Sequence, residues 1–441
     1  MVTTVTNAGE LKDAVANAGP GDEIVARGGT YEMSGRWNID SRGEEGNRIL
    51  VRAANGENPH IQFAAGLNSP TDDSGIKVVE PYVTIRGFEI SDSGYKGIFA
   101  GSNGHDVTFE NLNVHHNNVW GIMNNGNDNV TFRNCDSHDN MDPQNEGQNA
   151  DGINMTGPAK NGLIEGCRSW NNGDDGYDLW VSENHTVRYC WSWNNGQGAN
   201  GNGNGFKLGS SNTGVGGGHL VHHCVSYGNH VDNDSYSPGS GFWWNGEDDN
   251  VIEVYNCTAW DNGVNFAFQD IAHVLKNNIS FEGPVDTSEA VVEEANTWNL
   301  GISDPRFRST DPSSDDFLRP EQASPCIDTG VDVGLDYNGG APDLGAFETS
   351  STDDSTATRS EPAGDGQTAN HGYVIPEESA KDWHVPVNEN FRSIDADVPI
   401  VDQDGVKGEY TPTERALYVA LDTGAVYVGD GSQWDQIGSL N

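Results

Sequence analysis

Eight short segments of this chain share one pattern: a glycine or asparagine, an apolar residue, a variable residue and, in all but one, a second apolar residue. They are Gly75-Ile76-Lys77-Val78, Gly97-Ile98-Phe99-Ala100, Gly121-Ile122-Met123, Gly152-Ile153-Asn154-Met155, Gly176-Tyr177-Asp178-Leu179, Gly205-Phe206-Lys207-Leu208, Gly241-Phe242-Trp243-Trp244 and Asn265-Phe266-Ala267-Phe268. In a strand successive side chains point to opposite faces, so the apolar positions of each segment look one way and the variable residue the other. A second signature runs alongside, in Val83-Thr84-Ile85-Arg86-Gly87-Phe88, Val107-Thr108-Phe109-Glu110-Asn111-Leu112, Val130-Thr131-Phe132-Arg133-Asn134-Cys135 and five later segments ending at Cys167, Cys190, Cys224, Cys257 and Ile279. The residue before the final apolar one is Gly or Asn in six of these eight. Those two types tolerate the left-handed backbone best, so a sharp bend is expected there. Periods of 22 to 36 residues, made of short strands and bends, cannot bury their own apolar face and must stack on their neighbours. The pattern therefore predicts an all-β chain wound as a parallel β-helix. Leucine-rich repeats would show their leucine spacing, and propeller blades would need four antiparallel strands with hairpin turns.

Cys135, Cys167, Cys190, Cys224 and Cys257 take one equivalent inward position in five coils. In-register side chains run parallel to one another, so these are expected to be free, buried thiols that pack as small apolar residues rather than disulfides. Asn117-Asn118, Asn171-Asn172 and Asn194-Asn195 fall at the next corner, where asparagine can hydrogen-bond stacked turns. His115, His116, His138, His222 and His223 sit at bends or strand ends without metal-ligand spacing and read as structural.

At the amino-terminal end Val2 to Val5 reads as a strand, followed by Asn7 as a helix cap and Leu11, Ala14, Val15 and Ala18 at helical spacing. This short helix is expected to cap the open end of the coil. Glu23 to Ala26 reads as a strand, Gly28 to Tyr31 as a turn and Ile49 to Val51 as the next strand. The β-helix is expected to span residues 1–349, with Asp343 to Phe347 as a last packed strand. Residues 350–370, rich in Ser, Thr, Asp and Gly, read as a flexible linker. Residues 371–441 regain strand patterns around a hairpin at Leu421 to Gly424 and form a small β module, which is expected to be able to join chains into a homo-oligomer. No apolar run approaches the roughly 18 residues of a membrane span. No leader pattern opens the sequence, so the compartment is argued from the substrate.

The formal net charge is −44, from 67 acidic and 23 basic residues. A surface of that sign repels nucleic acid and anionic membranes and suits a high-salt milieu, where self-repulsion is screened. Against this background one constellation stands out. Asp151 and Asp175 precede the glycine in consecutive repeats, Asp174 stands beside Asp175, and Asp178 and Lys207 take the outward variable position of consecutive repeats. Carboxylates brought together this way repel one another unless a cation sits among them, and oxygen donors at flexible spacing suit Ca²⁺ better than Zn²⁺. Lys207 is one of only eight lysines. Next to a dication its ammonium form is disfavoured, which would let it accept a proton. Asn154, Trp180 and Trp243 are further candidates for substrate contact, and glycine-rich connections at 141–150, 196–204 and 210–218 are expected to wall a cleft.

Residues 1–348 resemble the pectate lyases of polysaccharide lyase family 9, most specifically in Ala150-Asp151-Gly152, Asp174-Asp175-Gly176-Tyr177-Asp178-Leu179 and Gly203-Asn204-Gly205-Phe206-Lys207-Leu208-Gly209. The resemblance implies a right-handed β-helix, Ca²⁺ bound by Asp151, Asp174, Asp175 and Asp178, Lys207 as the catalytic base, and an extracellular acidic polysaccharide, pectate, cleaved by β-elimination. Residues 371–441 lie outside it. Three rivals share these residues: another uronan lyase or epimerase, a β-helix glycoside hydrolase using Asp174 and Asp178, and a glycan-binding fibre protein without turnover.

Overall fold

The computed structural model describes residues 1–64, 74–101, 103–209, 216–231, 238–246 and 250–349, together with four strands beyond them. The expected linker at 350–370 and positions 210–215 of the connection at 210–218 lie outside the described residues. The chain divides into two compact units, residues 1–306 with 320–351 and residues 307–319 with 352–441.

The first unit is a right-handed parallel β-helix in which successive coils lay strands onto three sheets. The first sheet has twelve strands, from Val2–Val5 to Val292–Glu294. The second has ten, from Trp37–Ile39 to Val285–Thr287, and the third has ten, from Gly29–Met33 to Ile279–Phe281. Every pairing within these sheets is parallel and in register, so a given position of the repeat forms a row along the helix. The apolar positions of the second sheet point inward, where Tyr177, Phe206, Phe242 and Phe266 stack at centroid spacings of 4.5, 4.8 and 5.1 Å. Each such buried ring contributes about 1.5–3 kcal/mol of apolar burial.

The repeated glycine has a packing reason. Ser137, Ser169 and Ser192, on the third sheet, donate to the carbonyls of Gly152, Gly176 and Gly205 at 2.7, 2.8 and 3.0 Å. A Cβ at Gly176 would overlap Ser192 Oγ. The expected bends are present: Gly87, Asn111, Asn134, Gly166, Tyr189, His223 and Asn256 all have positive φ. In the eighth segment the bend falls on Asn277 instead of Asn278, because strand pairing sets Asn277 level with Asn256 and Asn278 level with Cys257, whose backbone N–H donates to Asn278 Oδ1 at 2.9 Å.

The cysteines are free and fully buried. Their sulfurs serve the bends, as where Cys167 Sγ accepts from the backbone N–H of Cys135 at 3.4 Å. At the next corner Asn117, Asn140, Asn172, Asn195, Asn229 and Asn262 form a buried ladder, the Oδ1 of each accepting from the backbone N–H one coil earlier at 3.1–3.2 Å. The imidazoles of His115 and His138 stack at 5.0 Å and continue into Trp170 and Trp193 on the outside of the third sheet, while His222 and His223 contact each other at a bend.

Helix α1 (Ala8–Ala16), capped by Asn7 Oδ1 accepting from Glu10 N, buries Leu11 and Val15 over the first coils. Two expectations fail here. Gly28 to Tyr31 is not a turn, because Gly29–Met33 is a strand that buries Tyr31 and Met33 and pairs with Pro59–Phe63. Asp343 to Phe347 is not a strand either. It is held by single contacts, Leu344 N to Cys326 O, Gly345 N to Asn277 O and Ala346 N to Thr258 Oγ1, which come from three separate segments rather than from one strand edge.

In the second unit Ile400–Asp402 runs parallel to Leu417–Ala420, which pairs antiparallel with Ala425–Gly429, which in turn pairs antiparallel with Trp434–Ser439. Among the described residues no helix is long and apolar enough to cross a membrane.

Candidate metal and proton-transfer site

The site grows out of the register of the second sheet. Parallel pairing aligns Asn154, Asp178 and Lys207 in one outward row. Three residues upstream runs a second row, in which the N–H of Gly121 reaches Asp151 O, that of Gly152 reaches Asp175 O, and that of Gly176 reaches Asn204 O. Asp151, Asp174 and Asp175 can each turn one carboxylate oxygen to within 4.8 Å of the others. Ligands of one Ca²⁺ at 2.3–2.6 Å lie no more than about 5 Å apart, so this spacing fits a single ion. All three residues are buried.

Each carboxylate is held from a different side. Asp151 Oδ2 accepts from Trp120 Nε1 at 2.9 Å and Asn154 Nδ2 at 3.0 Å, and its Oδ1 accepts from the N–H of Asp175 at 3.1 Å. Asp174 accepts from the backbone N–H of Asn149 at 2.9 Å and of Asn202 at 2.6 Å, so it ties together the connections at 141–150 and 196–204. Those two connections also meet where the N–H of Asn200 donates to Glu146 O at 3.0 Å. Gly147, with φ of 95°, approaches Gly198 so closely there that a side chain on either would collide with the other's backbone. Asp175 Oδ1 takes the backbone and side-chain N–H groups of Asn204 at 2.7 and 2.8 Å.

Two buried oxygens in this cluster, Asp178 Oδ1 and Asn154 Oδ1, have no hydrogen-bond donor, and Asp175 Oδ2 takes no hydrogen bond but faces the Lys207 ammonium at 3.3 Å. Unmet buried acceptors are costly. An oxygen-only donor set of this kind, around three converging carboxylates, suits a hard cation. Asp178 departs from the expected quartet: its carboxylate is drawn to Lys207 Nζ at 3.1 Å, which also lies 3.3 Å from Asp175 Oδ2.

The charges are strongly coupled. Burial, reinforced by Asp178, Asp174 and Asp175, pushes the Asp151 carboxyl well above its usual range. Burial and the neighbouring Asp175 raise Asp174 to about 7, against the pull of Lys207 and its two backbone donors. Burial raises Asp178 too, with Lys207 opposing. Burial alone would lower Lys207, but Asp178, Asp175, Asp174 and Asp151 outweigh it and hold the ammonium well above the ordinary lysine range. A dication among the carboxylates would cancel the field that keeps Lys207 protonated.

Trp243 follows Lys207 in the outward row, half-buried against the core. Trp180 is 43% exposed just after Asp178, whereas Trp244 is buried beside His273. Trp120 and Asn204 complete the cluster and were not singled out from the sequence. Their signal was positional: each immediately precedes the repeat glycine, as Asp151 and Asp175 do.

Residues 2–278 match the family model described as the Pel9A-like right-handed β-helix region. The chain is 34% identical over 374 residues to pectate lyase L of Dickeya chrysanthemi, an alignment that covers 76% of this chain and 84% of that protein. It is 29% identical to pectate lyase L of Paenibacillus polymyxa, over 73% of this chain and 74% of that one. Among solved structures, pectate lyase Pel9A superposes with a TM-score of 0.69 at 28% identity, covering 79% of this chain and 96% of the other.

Proposed function

Because the chain belongs to the Pel9A-like right-handed β-helix family, we propose that it is a Ca²⁺-dependent pectate lyase that cleaves α-1,4-galacturonan outside the cell. The observation that carries this reading is the pairing of Lys207 with the buried carboxylates of the preceding coil, 3.3 Å from Asp175 and 3.1 Å from Asp178, beside the converging Asp151, Asp174 and Asp175. Asp151, Asp174 and Asp175 would hold Ca²⁺, with Asp178 and Asn154 beside them. When bound, the ion would take the C6 carboxylate of a galacturonate unit and draw charge from it, which makes the C5 proton more acidic.

Lys207 does the proton work. Its Nζ, once neutral, accepts the C5 proton; the C5–H electron pair forms the C4=C5 bond as the C4–O bond breaks, and the departing oxygen takes a proton from solvent. One new end is a 4,5-unsaturated sugar, and no water is added across the bond. Asp178 and Asp175 hold Nζ at the strand surface. Trp120 and Asn204 fix the carboxylates so that little reorganisation is needed. Since the ammonium must first lose its proton, activity should rise towards alkaline pH.

The test is incubation with de-esterified pectin, with and without chelator, followed by ultraviolet absorbance and product size. Unsaturated product that disappears with chelator is expected. Chain cleavage without absorbance would favour hydrolysis by Asp174 and Asp178. That alternative is weakened by Asp174, both of whose oxygens accept backbone N–H groups.

A further inference from the structure

Two residues past the outward row of Asn154, Asp178 and Lys207 stand Thr156, Trp180 and Gly209. Alternation along a strand puts them on the same face of the sheet as the row itself. Trp180 thus has a small side chain on one side and none on the other. It is 43% exposed, the one tryptophan in the exposed class among the described residues. A single exposed apolar side chain is ordinary by itself. The turn that carries this one is not.

Val181, next in the chain, has φ of 59°. The left-handed region strains a β-branched residue, at a cost of about 1–3 kcal/mol that only surrounding contacts can sustain. Those contacts are present. Thr156 Oγ1 donates to Trp180 O at 2.9 Å, and the buried Ser182 Oγ donates to Leu179 O at 2.8 Å. Leu179 itself is anchored in the core. The N–H of Trp180 lies against the Asp178 carboxylate and favours its charged form, and that carboxylate holds Lys207 Nζ at 3.1 Å. Asp175 comes three residues before Asp178 and Trp180 two after it, so the row with Lys207 lies between the acidic cluster and the indole. At about 3.3 Å per residue and about 4.8 Å between strands, the backbones of Trp180 and Lys207 stand roughly 8 Å apart.

We propose that Trp180 is a sugar platform, held out by the strained turn at Val181, whose indole takes the apolar face of the uronate unit bonded to the one at the acidic cluster. The inference rests on the polyuronate reading above and adds the course of the polymer, which crosses the sheet from the cluster past Lys207 to the turn. A pyranose ring has a face of C–H groups that suits the electron-rich face of an indole, while its hydroxyl and carboxylate rim stays in water. Beside a carboxylate cluster, in a chain of net charge −44, an uncharged platform attracts a polyanion where further acidic side chains would repel it.

The test measures kcat and KM on polygalacturonate in saturating Ca²⁺ for wild type, Trp180→Ala, Trp180→Phe and Val181→Gly, with Ca²⁺ affinity followed alongside by calorimetric titration. Trp180→Ala should raise KM roughly tenfold, the scale of one lost aromatic contact. Its kcat should stay within about twofold of wild type, with Ca²⁺ affinity unchanged, as for a contact made equally before and during the reaction. Trp180→Phe should recover most of the loss, since it restores a ring. Val181→Gly relieves the left-handed strain and leaves the indole in place, yet KM should rise severalfold because the freer turn no longer fixes it. A wild-type KM in Trp180→Ala would overturn the platform. So would a loss confined to kcat or to Ca²⁺ affinity, which would place Trp180 behind Asp178 instead of under a sugar. A wild-type KM in Val181→Gly would overturn the part given to the turn. Absence of unsaturated product from wild type on polygalacturonate would instead overturn the pectate reading.

Discussion

Asp174 joins two loops to the acidic cluster with a single carboxylate, since its oxygens take the N–H groups of Asn149 and Asn202 while its neighbour Asp175 faces Lys207. Asp175 Oδ2 takes no hydrogen bond, faces the Lys207 ammonium at 3.3 Å and sits in a fully buried residue. Replacing it with Asn keeps the volume and removes a charge. Asp175→Asn should therefore lower Ca²⁺ affinity by at least about tenfold with the fold intact, as read by calorimetric titration; an unchanged affinity would remove Asp175 from the ligand set. Which of the candidate residues share a row was legible because register is a sequence property: Asp151 with Asp175, and Asp178 with Lys207, share repeat positions. Trp120 and Asn204 were missed because the reading looked for charge, whereas these two act by donating hydrogen bonds to it. That Lys207 could pair with Asp178 followed from their adjacency in the outward row, whereas the choice of Asp178 for Lys207 over the other carboxylates is made by side-chain conformation within the row.

At the scale of the element, the ladders behind the site hold its loops in place. Asn172 accepts from the backbone and side chain of Asn140 and donates to Ser169 and Asn195, all buried, two residues before Asp174 and ahead of the strand Tyr177–Asp178. Asn172→Ala leaves several of these groups unmet and should cost about 2–4 kcal/mol, given about 1–3 kcal/mol for each unsatisfied buried group. Thermal unfolding would register this, and an unchanged melting temperature would contradict the ladder's role. The bends were readable where Gly or Asn occupies them. Tyr189 and His223 take the same left-handed conformation without that signal, because the coils above and below impose it and tertiary packing outweighs local preference. The strand Gly29–Met33 was hidden for a related reason: its opening glycine pair resembles a turn, and only pairing with Pro59–Phe63 makes it extended.

At the scale of the whole molecule, acidity and buried imidazoles set the conditions of stability. With a net charge of −44, self-repulsion should weaken as the Debye length falls from about 30 Å at 0.01 M to about 3 Å at 1 M salt. The melting temperature should rise over that range, and a flat profile would argue against charge as the limiting factor. Burial depresses His185 and His273 to about 4, and His219 well below its ordinary 6.5. Their folded-state values lie below the unfolded one, so the unfolded chain binds more protons below pH 6.5. Stability should be full above about 6.5 and fall as pH drops towards 4, by roughly 3 kcal/mol for each of His185 and His273. Asp174 and Glu348, raised to about 7 chiefly by burial, act in the opposite sense, so melting at pH 4.5 and 7 is best compared in saturating Ca²⁺. His273→Asn should shrink the difference, and an undiminished one would contradict this assignment. The elimination turns on Lys207, and its most direct test is the rate of unsaturated product formation from polygalacturonate in Ca²⁺ by Lys207→Ala and Lys207→Arg. Both should bind Ca²⁺ and polymer yet lose turnover by about 10²- to 10⁴-fold, the contribution of a positioned general base, the arginine failing because its guanidinium stays protonated. Formation of unsaturated sugar by Lys207→Ala at near the wild-type rate would contradict it.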